Sequence, residues 1–163
     1  MCANHISNWD ALTIYTATKR EMFVMAKEEM FVNKFVYWFG KKMNVFPVKR
    51  GKQDIESIKK SLKVLKDNKI LLIFPEGTRN KTGTNEIQEI KSGFLIFASK
   101  GETSITPMFM YRKPKMFRKN YIIVGKPFEL IGENPKRLTK EELEENFERY
   151  LKVLNELRDE LNE

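Results

Sequence analysis

Ile70-Leu71-Leu72-Ile73-Phe74-Pro75-Glu76-Gly77-Thr78-Arg79 is the stretch from which the fold is read first. Its first five residues form an unbroken apolar run, as expected of a strand buried on both faces. The run then breaks into a loop at Pro75-Glu76-Gly77, where Gly77 permits a backbone conformation closed to other residues. In sheets with buried parallel strands, sites gather beyond the strand carboxyl ends. The stretch therefore predicts both a parallel sheet and one wall of a site.

Working outward, strands are expected at residues 1–4, 23–26, 45–48, 104–110 and 121–124, and helices over 8–18, 28–42, 53–68 and 91–100. Ile55, Ile58, Leu62 and Leu65 recur at helical spacing in the third of these helices. Gly101 stands where a helix C-terminus favours glycine. Thr139-Lys140-Glu141-Glu142 is a capping box that opens a long amphipathic helix to residue 163, with Leu143, Phe147, Leu151, Leu154, Leu157 and Leu161 as its apolar stripe. Alternating strands and helices with short connections imply an α/β fold. A single domain over residues 1–163 is expected, with a mixed, largely parallel sheet flanked by helices.

Bulk properties narrow the function. One domain suits 163 residues, and 41% hydrophobic residues suffice for one core. The formal charge is +8, but residues 139–163 hold nine acidic and four basic side chains, leaving the preceding 138 residues at +13. Such a basic body favours anionic partners such as phosphate, acidic lipid or an acidic carrier protein. Zinc-finger spacing, an RNP-type aromatic motif and a basic zipper are all absent from the sequence, so no nucleic-acid partner is expected. One histidine and one cysteine predict no metal site and no internal disulfide. Cys2 lies near His5 and invites reading as a nucleophile; a small residue ending a buried strand is the plainer reading. No apolar run reaches the roughly 18–20 residues of a membrane span, and no signal peptide opens the sequence. Because Met1-Cys2-Ala3-Asn4 reads as the end of a buried strand, a natural N-terminal segment is expected to precede it.

Three segments break from predicted strands: Asn4-His5, Lys49-Arg50-Gly51 and Pro75-Glu76-Gly77. Asp10 follows His5 by five residues, about 140° around a continuous helix. The two side chains meet only if His5 lies in the turn before the helix and Asp10 in its first turn. Ser7-Asn8-Trp9-Asp10 supports that as a capping box with Ser7 at N-cap and Asp10 at N3. Asp10 then has two readings: a capping carboxylate, or the partner that orients a basic imidazole. Arg79 offers a planar fork for phosphate oxygens, and with Arg50 it suits one phosphate group; either alone reads more plainly as a solvated surface cation.

Asn4-His5 with Asp10, then Val48-Lys49-Arg50-Gly51, then Phe74-Pro75-Glu76-Gly77-Thr78-Arg79, then Ile105-Thr106-Pro107, resembles in order the four motifs of the glycerolipid acyltransferase family, which includes 1-acyl-sn-glycerol-3-phosphate acyltransferases. The resemblance covers residues 4–130. It departs from the family at Lys49, where an acidic residue often precedes the arginine. It implies that His5 is the general base and Asp10 its partner. It assigns Arg50, Gly51, Glu76, Gly77, Thr78 and Arg79 to the glycerol phosphate, adds Lys91 of Lys91-Ser92-Gly93 as a phosphate candidate, and has Pro107 shape the site. It further implies an acyl-carrier protein or acyl-CoA donor, no cofactor, and a lysophospholipid acceptor, with lysophosphatidic acid ahead of glycerol 3-phosphate or another lysophospholipid. The rival class is a non-catalytic basic module docked on anionic membrane. The family's usual setting implies the cytoplasmic side of a membrane, with peripheral attachment or an anchor outside this sequence. Phe31, Val32, Phe35, Val36, Tyr37, Trp38 and Phe39, followed by Lys41 and Lys42, read as an interfacial helix, an acyl-groove wall or a buried helix. That region and the basic stretch 112–119 are expected to bind anionic vesicles.

Overall fold

A computed structural model describes residues 1–32, 34–49, 54–82, 86–115 and 117–160. Among the described residues, six strands carry the fold: β1 (Cys2–Ala3), β2 (Met22–Lys27), β3 (Val45–Val48), β4 (Ile70–Leu72), β5 (Pro107–Met110) and β6 (Ile122–Val124). They form two three-stranded groups, β3-β2-β4 and β1-β5-β6. A parallel bridge between Cys2 and Ile73 joins these groups, so the order reads β3-β2-β4-β1-β5-β6. Ala3 N–H donates to Ile73 O at 3.1 Å and Ile73 N–H to Met1 O at 3.0 Å across this seam. Among these six strands every pairing is parallel except β5 with β6; an isolated antiparallel bridge joins Ile105 and Phe128.

Among the described residues, five α-helices flank the sheet: α1 (Asp10–Ala17), α2 (Lys34–Lys42), α3 (Ile55–Lys66), α4 (Gly93–Gly101) and α5 (Lys140–Asp159). Side-chain alternation sorts them into layers. Ala3, Ile70 and Leu72 face one way with Ile14 of α1. Cys2, Leu71 and Ile73 face the other way, toward α3, α4 and α5, where Val64, Phe94, Leu95, Tyr150 and Leu154 pack. The expected α/β domain with a largely parallel sheet and a long C-terminal helix is what the chain forms. Thr139 Oγ1 accepts Glu142 N–H, and the Glu142 carboxylate accepts Thr139 N–H, so the expected capping box opens α5.

Several local expectations are corrected. The single helix expected over residues 28–42 divides into a 3-10 turn, Glu28–Val32, and α2. Tyr37 and Trp38 are exposed, at 55% and 54%, which removes the buried reading for that part of the helix; the side chains of Phe35, Val36 and Phe39 lie outside the described set. On α3, Ile55 and Ile58 are exposed, and the buried face is Ser57, Ser61 and Val64. Small hydroxyls suit that face because each bonds locally: Ser57 Oγ to Asp54 Oδ2 at 2.6 Å and Ser61 Oγ to Ser57 O at 2.7 Å. Gly101 is the last residue of α4 rather than the residue beyond it, and Glu102 adopts the left-handed cap with φ of 51°. Gly101 is needed for a different reason: a Cβ there would stand 2.6 Å from Leu65 Cδ1 of α3. The buried face of α5 includes Asn146 and Tyr150 beside Leu154 and Leu157; Leu161 lies outside the described residues.

Candidate active site

Because β4 and β1 are neighbours in register, Cys2 opposite Ile73, the loops after them emerge side by side. This places His5 level with Glu76. His5 N–H donates to Glu76 Oε1 at 3.0 Å, and Asn80 N–H donates to His5 O at 2.7 Å. The backbone of His5 is thus held on both sides by the loop 75–80. Its ring stacks on Phe74, with centroids 4.3 Å apart. On the far side, Asn4 fixes the end of β5: Asn4 Nδ2 donates to Met110 O at 3.0 Å, and Met110 N–H donates to Asn4 Oδ1 at 2.7 Å.

His5 and Asp10 meet as the turn-then-helix argument requires, with Nδ1 to Oδ2 at 2.8 Å. Asp10 opens α1 and is fully buried. Its Oδ2 also accepts Ile6 N–H and Ser7 N–H, each at 2.7 Å. Only half of the expected capping box forms. Ser7 Oγ accepts Trp9 N–H at 3.2 Å instead of Asp10 N–H, because the helix starts at Asp10 and its carboxylate is turned back into the 5–7 turn. One oxygen of Asp10 therefore braces the 5–7 turn and bonds the His5 ring as well. In the tautomer that donates Nδ1–H to Oδ2, Nε2 keeps its lone pair. The His5 side chain is 21% exposed.

Glu76 is buried at 4% exposure. Its Oε2 and the Oδ1 of Asp10 have no hydrogen-bond partner among the described residues. Burial pushes the Glu76 carboxyl up to about 7; the His5 N–H opposes that shift, and the nearby Asp10 charge adds to it. Gly77 has φ of 68°, so this tight turn needs glycine. Beyond it Thr78 and Arg79 are exposed, and no hydrogen bond or ion pair within the described residues engages the Arg79 guanidinium. Lys91 is exposed, and its N–H donates to Pro75 O at 3.1 Å, which brings it to the same loop.

The structure thus gathers His5, Asp10, Glu76, Gly77, Thr78, Arg79 and Lys91 at one sheet edge. Pro107 is not part of this gathering. It is fully buried opposite Cys2, three strand residues or roughly 10 Å from the level of His5. Arg50 and Gly51 lie outside the described residues; the end of β3 is three strands from β1, roughly 14 Å along the edge. Cys2 is buried at 3%, and burial pushes its thiol up to about 11, which fits the plain reading as a packed strand residue. Asn80, buried at 3%, and Phe74, which stacks on the His5 ring, are residues of this region that the sequence motifs do not single out as site residues. The signal for Asn80 was its Asn-x-Thr spacing, since Asn80 Oδ1 accepts both Thr82 N–H and Thr82 Oγ1–H.

Comparison with known proteins adds four findings. A family model described as Acyltransferase matches residues 1–111. The 1-acyl-sn-glycerol-3-phosphate acyltransferase of Bacillus subtilis is 36% identical over 113 residues, covering 66% of this chain and 54% of that protein. The enzyme of the same description from Borreliella burgdorferi is 32% identical over 124 residues, covering 73% and 48%. The chain thus spans about half the length of these two relatives. In fold, it is similar to a solved 1-acyl-sn-glycerophosphate acyltransferase from Thermotoga maritima, with a TM-score of 0.66, 23% identity, and coverage of 99% of this chain and 65% of that one.

Proposed function

The chain belongs to the acyltransferase family, and from that premise we propose that it moves a fatty acyl group from a thioester to the sn-2 hydroxyl of lysophosphatidic acid, giving phosphatidic acid. The observation that carries this reading is the His5–Asp10 contact of 2.8 Å at the strand-end edge that also holds Glu76-Gly77-Thr78-Arg79. The relatives named for acylation of 1-acyl-sn-glycerol 3-phosphate support the choice of acceptor.

The steps follow from the residue types. The acceptor hydroxyl has a pKa far above neutrality, so it needs a positioned base. His5 Nε2 takes its proton as the oxygen attacks the thioester carbonyl, a contribution of about 10²–10⁴-fold. The new C–O bond gives a tetrahedral intermediate, which collapses with cleavage of the C–S bond. The proton on His5 passes to the departing thiolate, so the products are an ester and a free thiol. Asp10 stabilises the imidazolium formed between these steps. Arg79, exposed and without a partner among the described residues, receives the acceptor phosphate, with Lys91 beside its loop. The donor is an acyl-carrier protein or acyl-CoA.

The reading includes peripheral attachment to an anionic membrane at its cytoplasmic face. Supporting it, Tyr37 and Trp38 are exposed on α2 beside Lys41, and the Lys42 ammonium lies 4.2 Å from the Trp38 ring centroid. Among the described residues no helix is long and apolar enough to cross a membrane.

Thiol release from an acyl thioester, measured with and without lysophosphatidic acid, tests the proposal. Release should depend on the acceptor. Arg79→Lys keeps the charge but loses the bidentate fork, so it should raise KM for lysophosphatidic acid more than KM for the thioester. Thiol release indifferent to the acceptor contradicts the reaction. An effect of Arg79→Lys confined to the thioester assigns this arginine to the donor.

A further inference from the structure

β5 ends at Met110, level with His5 one strand away, and the chain returns at Ile122 opposite Met110. The loop between them therefore stands on the same sheet edge as the proposed active site. It carries five cations, Arg112, Lys113, Lys115, Arg118 and Lys119, and no acidic residue. All five are exposed. The loop is built rather than loose. Lys115 N–H donates to Asn120 Oδ1 and Asn120 Nδ2 to Lys115 O, both at 3.1 Å, and Arg118 donates to Lys113 O at 2.8 Å. These braces lift out Phe117, which is 102% exposed, with Tyr121 at 65% beside it.

Phe117 has φ of 61°, in the left-handed region that bulky side chains rarely occupy. Among the described residues nothing rewards a phenylalanine here: it stands fully exposed and strains its own backbone. Such a residue at a braced tip is accounted for by what lies outside the protein. An aromatic ring ringed by cations matches the boundary of an anionic bilayer, where the ring enters the acyl region and the cations meet headgroup phosphates.

We propose that this loop is a membrane-insertion element: Phe117 enters the interface of an anionic bilayer and the surrounding lysines and arginines hold its headgroups, setting the His5 edge against the lipid surface. The choice of a bilayer over another polyanion rests on the lipid-acyltransferase reading, because that reading requires the acceptor to reach this edge from a membrane.

The test is co-sedimentation with vesicles of phosphatidylglycerol and phosphatidylcholine, and of phosphatidylcholine alone, using wild type, Phe117→Asn and Lys119→Glu. Asparagine tolerates the left-handed backbone, so Phe117→Asn should unfold at the same temperature as wild type or higher. It should bind anionic vesicles at least about tenfold more weakly, as expected for losing one buried aromatic ring. Lys119→Glu should weaken anionic binding and flatten its salt dependence. Turnover on acceptor supplied below its aggregation concentration should be unchanged in Phe117→Asn. Vesicle binding of Phe117→Asn equal to wild type overturns the proposal, as does equal wild-type binding to both vesicle types, or wild-type binding to single-stranded oligonucleotide but not to vesicles. The sedimentation readout needs no turnover. A chain that docks through Phe117 but releases no thiol contradicts the proposed reaction and leaves the insertion loop standing.

Discussion

Glu76 accepts the His5 N–H on one oxygen and buries the other without a partner among the described residues. Its carboxyl is raised from an ordinary value of 4.5 to about 7, chiefly by burial. The folded chain therefore binds this proton more tightly than the unfolded chain. The stability contributed by the neutral acid is complete below about 4.5 and is lost as pH rises through about 7. Glutamine keeps an oxygen for the His5 N–H and cannot ionise. Thermal unfolding of Glu76→Gln should accordingly fall less than that of wild type between about pH 5 and pH 8. Parallel profiles show that Glu76 does not carry a buried proton. At this scale the sequence was partly legible. The His5–Asp10 pair could be read because five residues of one turn decide it. The hold of Glu76 on the His5 backbone could not, because it depends on β4 lying next to β1, and residues 71 positions apart have no local signal.

Elements packed as their apolar patterns predicted where burial was thick and departed where two backbones come close. α4 and α3 meet at Gly101, where a Cβ would lie 2.6 Å from Leu65 Cδ1 and 3.2 Å from Leu65 Cβ. Gly101→Ala gains helix propensity of about 1 kcal/mol and suffers overpacking of about 1–3 kcal/mol. A net loss of about 1 kcal/mol in urea unfolding is expected, with recovery when Leu65→Val is added. No loss in the single variant contradicts the close contact. Read from sequence, Gly101 is a helix terminator; only the crossing of two helices reveals it as a spacer. The same limit explains α3. Ile55 and Ile58 fit a helical stripe, yet Ser57, Ser61 and Val64 face the sheet, since side chains that bond within their own turn can be buried at little cost. The capping box of α5 was legible because it is local chemistry within four residues.

Across the whole molecule, the sheet order β3-β2-β4-β1-β5-β6 gathers at one edge the ends of β1, β4 and β5, which lie far apart in sequence. That edge carries His5, the Glu76-Gly77-Thr78-Arg79 loop and the cationic Phe117 loop, while the acidic excess lies in residues 139–163. Alternation of strands and helices made the fold class readable. Strand order was not, because register is set by packing across the sheet and not by any one segment. The central claim is that His5 is the base of an acyl transfer. His5→Ala tests it most directly because the bonds from residue 5 to Glu76 and Asn80 use only its backbone and survive the change. Circular dichroism should therefore match wild type. Phosphatidic acid formation from lysophosphatidic acid and an acyl thioester should fall by at least about 10²-fold. A folded His5→Ala protein that keeps more than about a tenth of wild-type turnover contradicts the account.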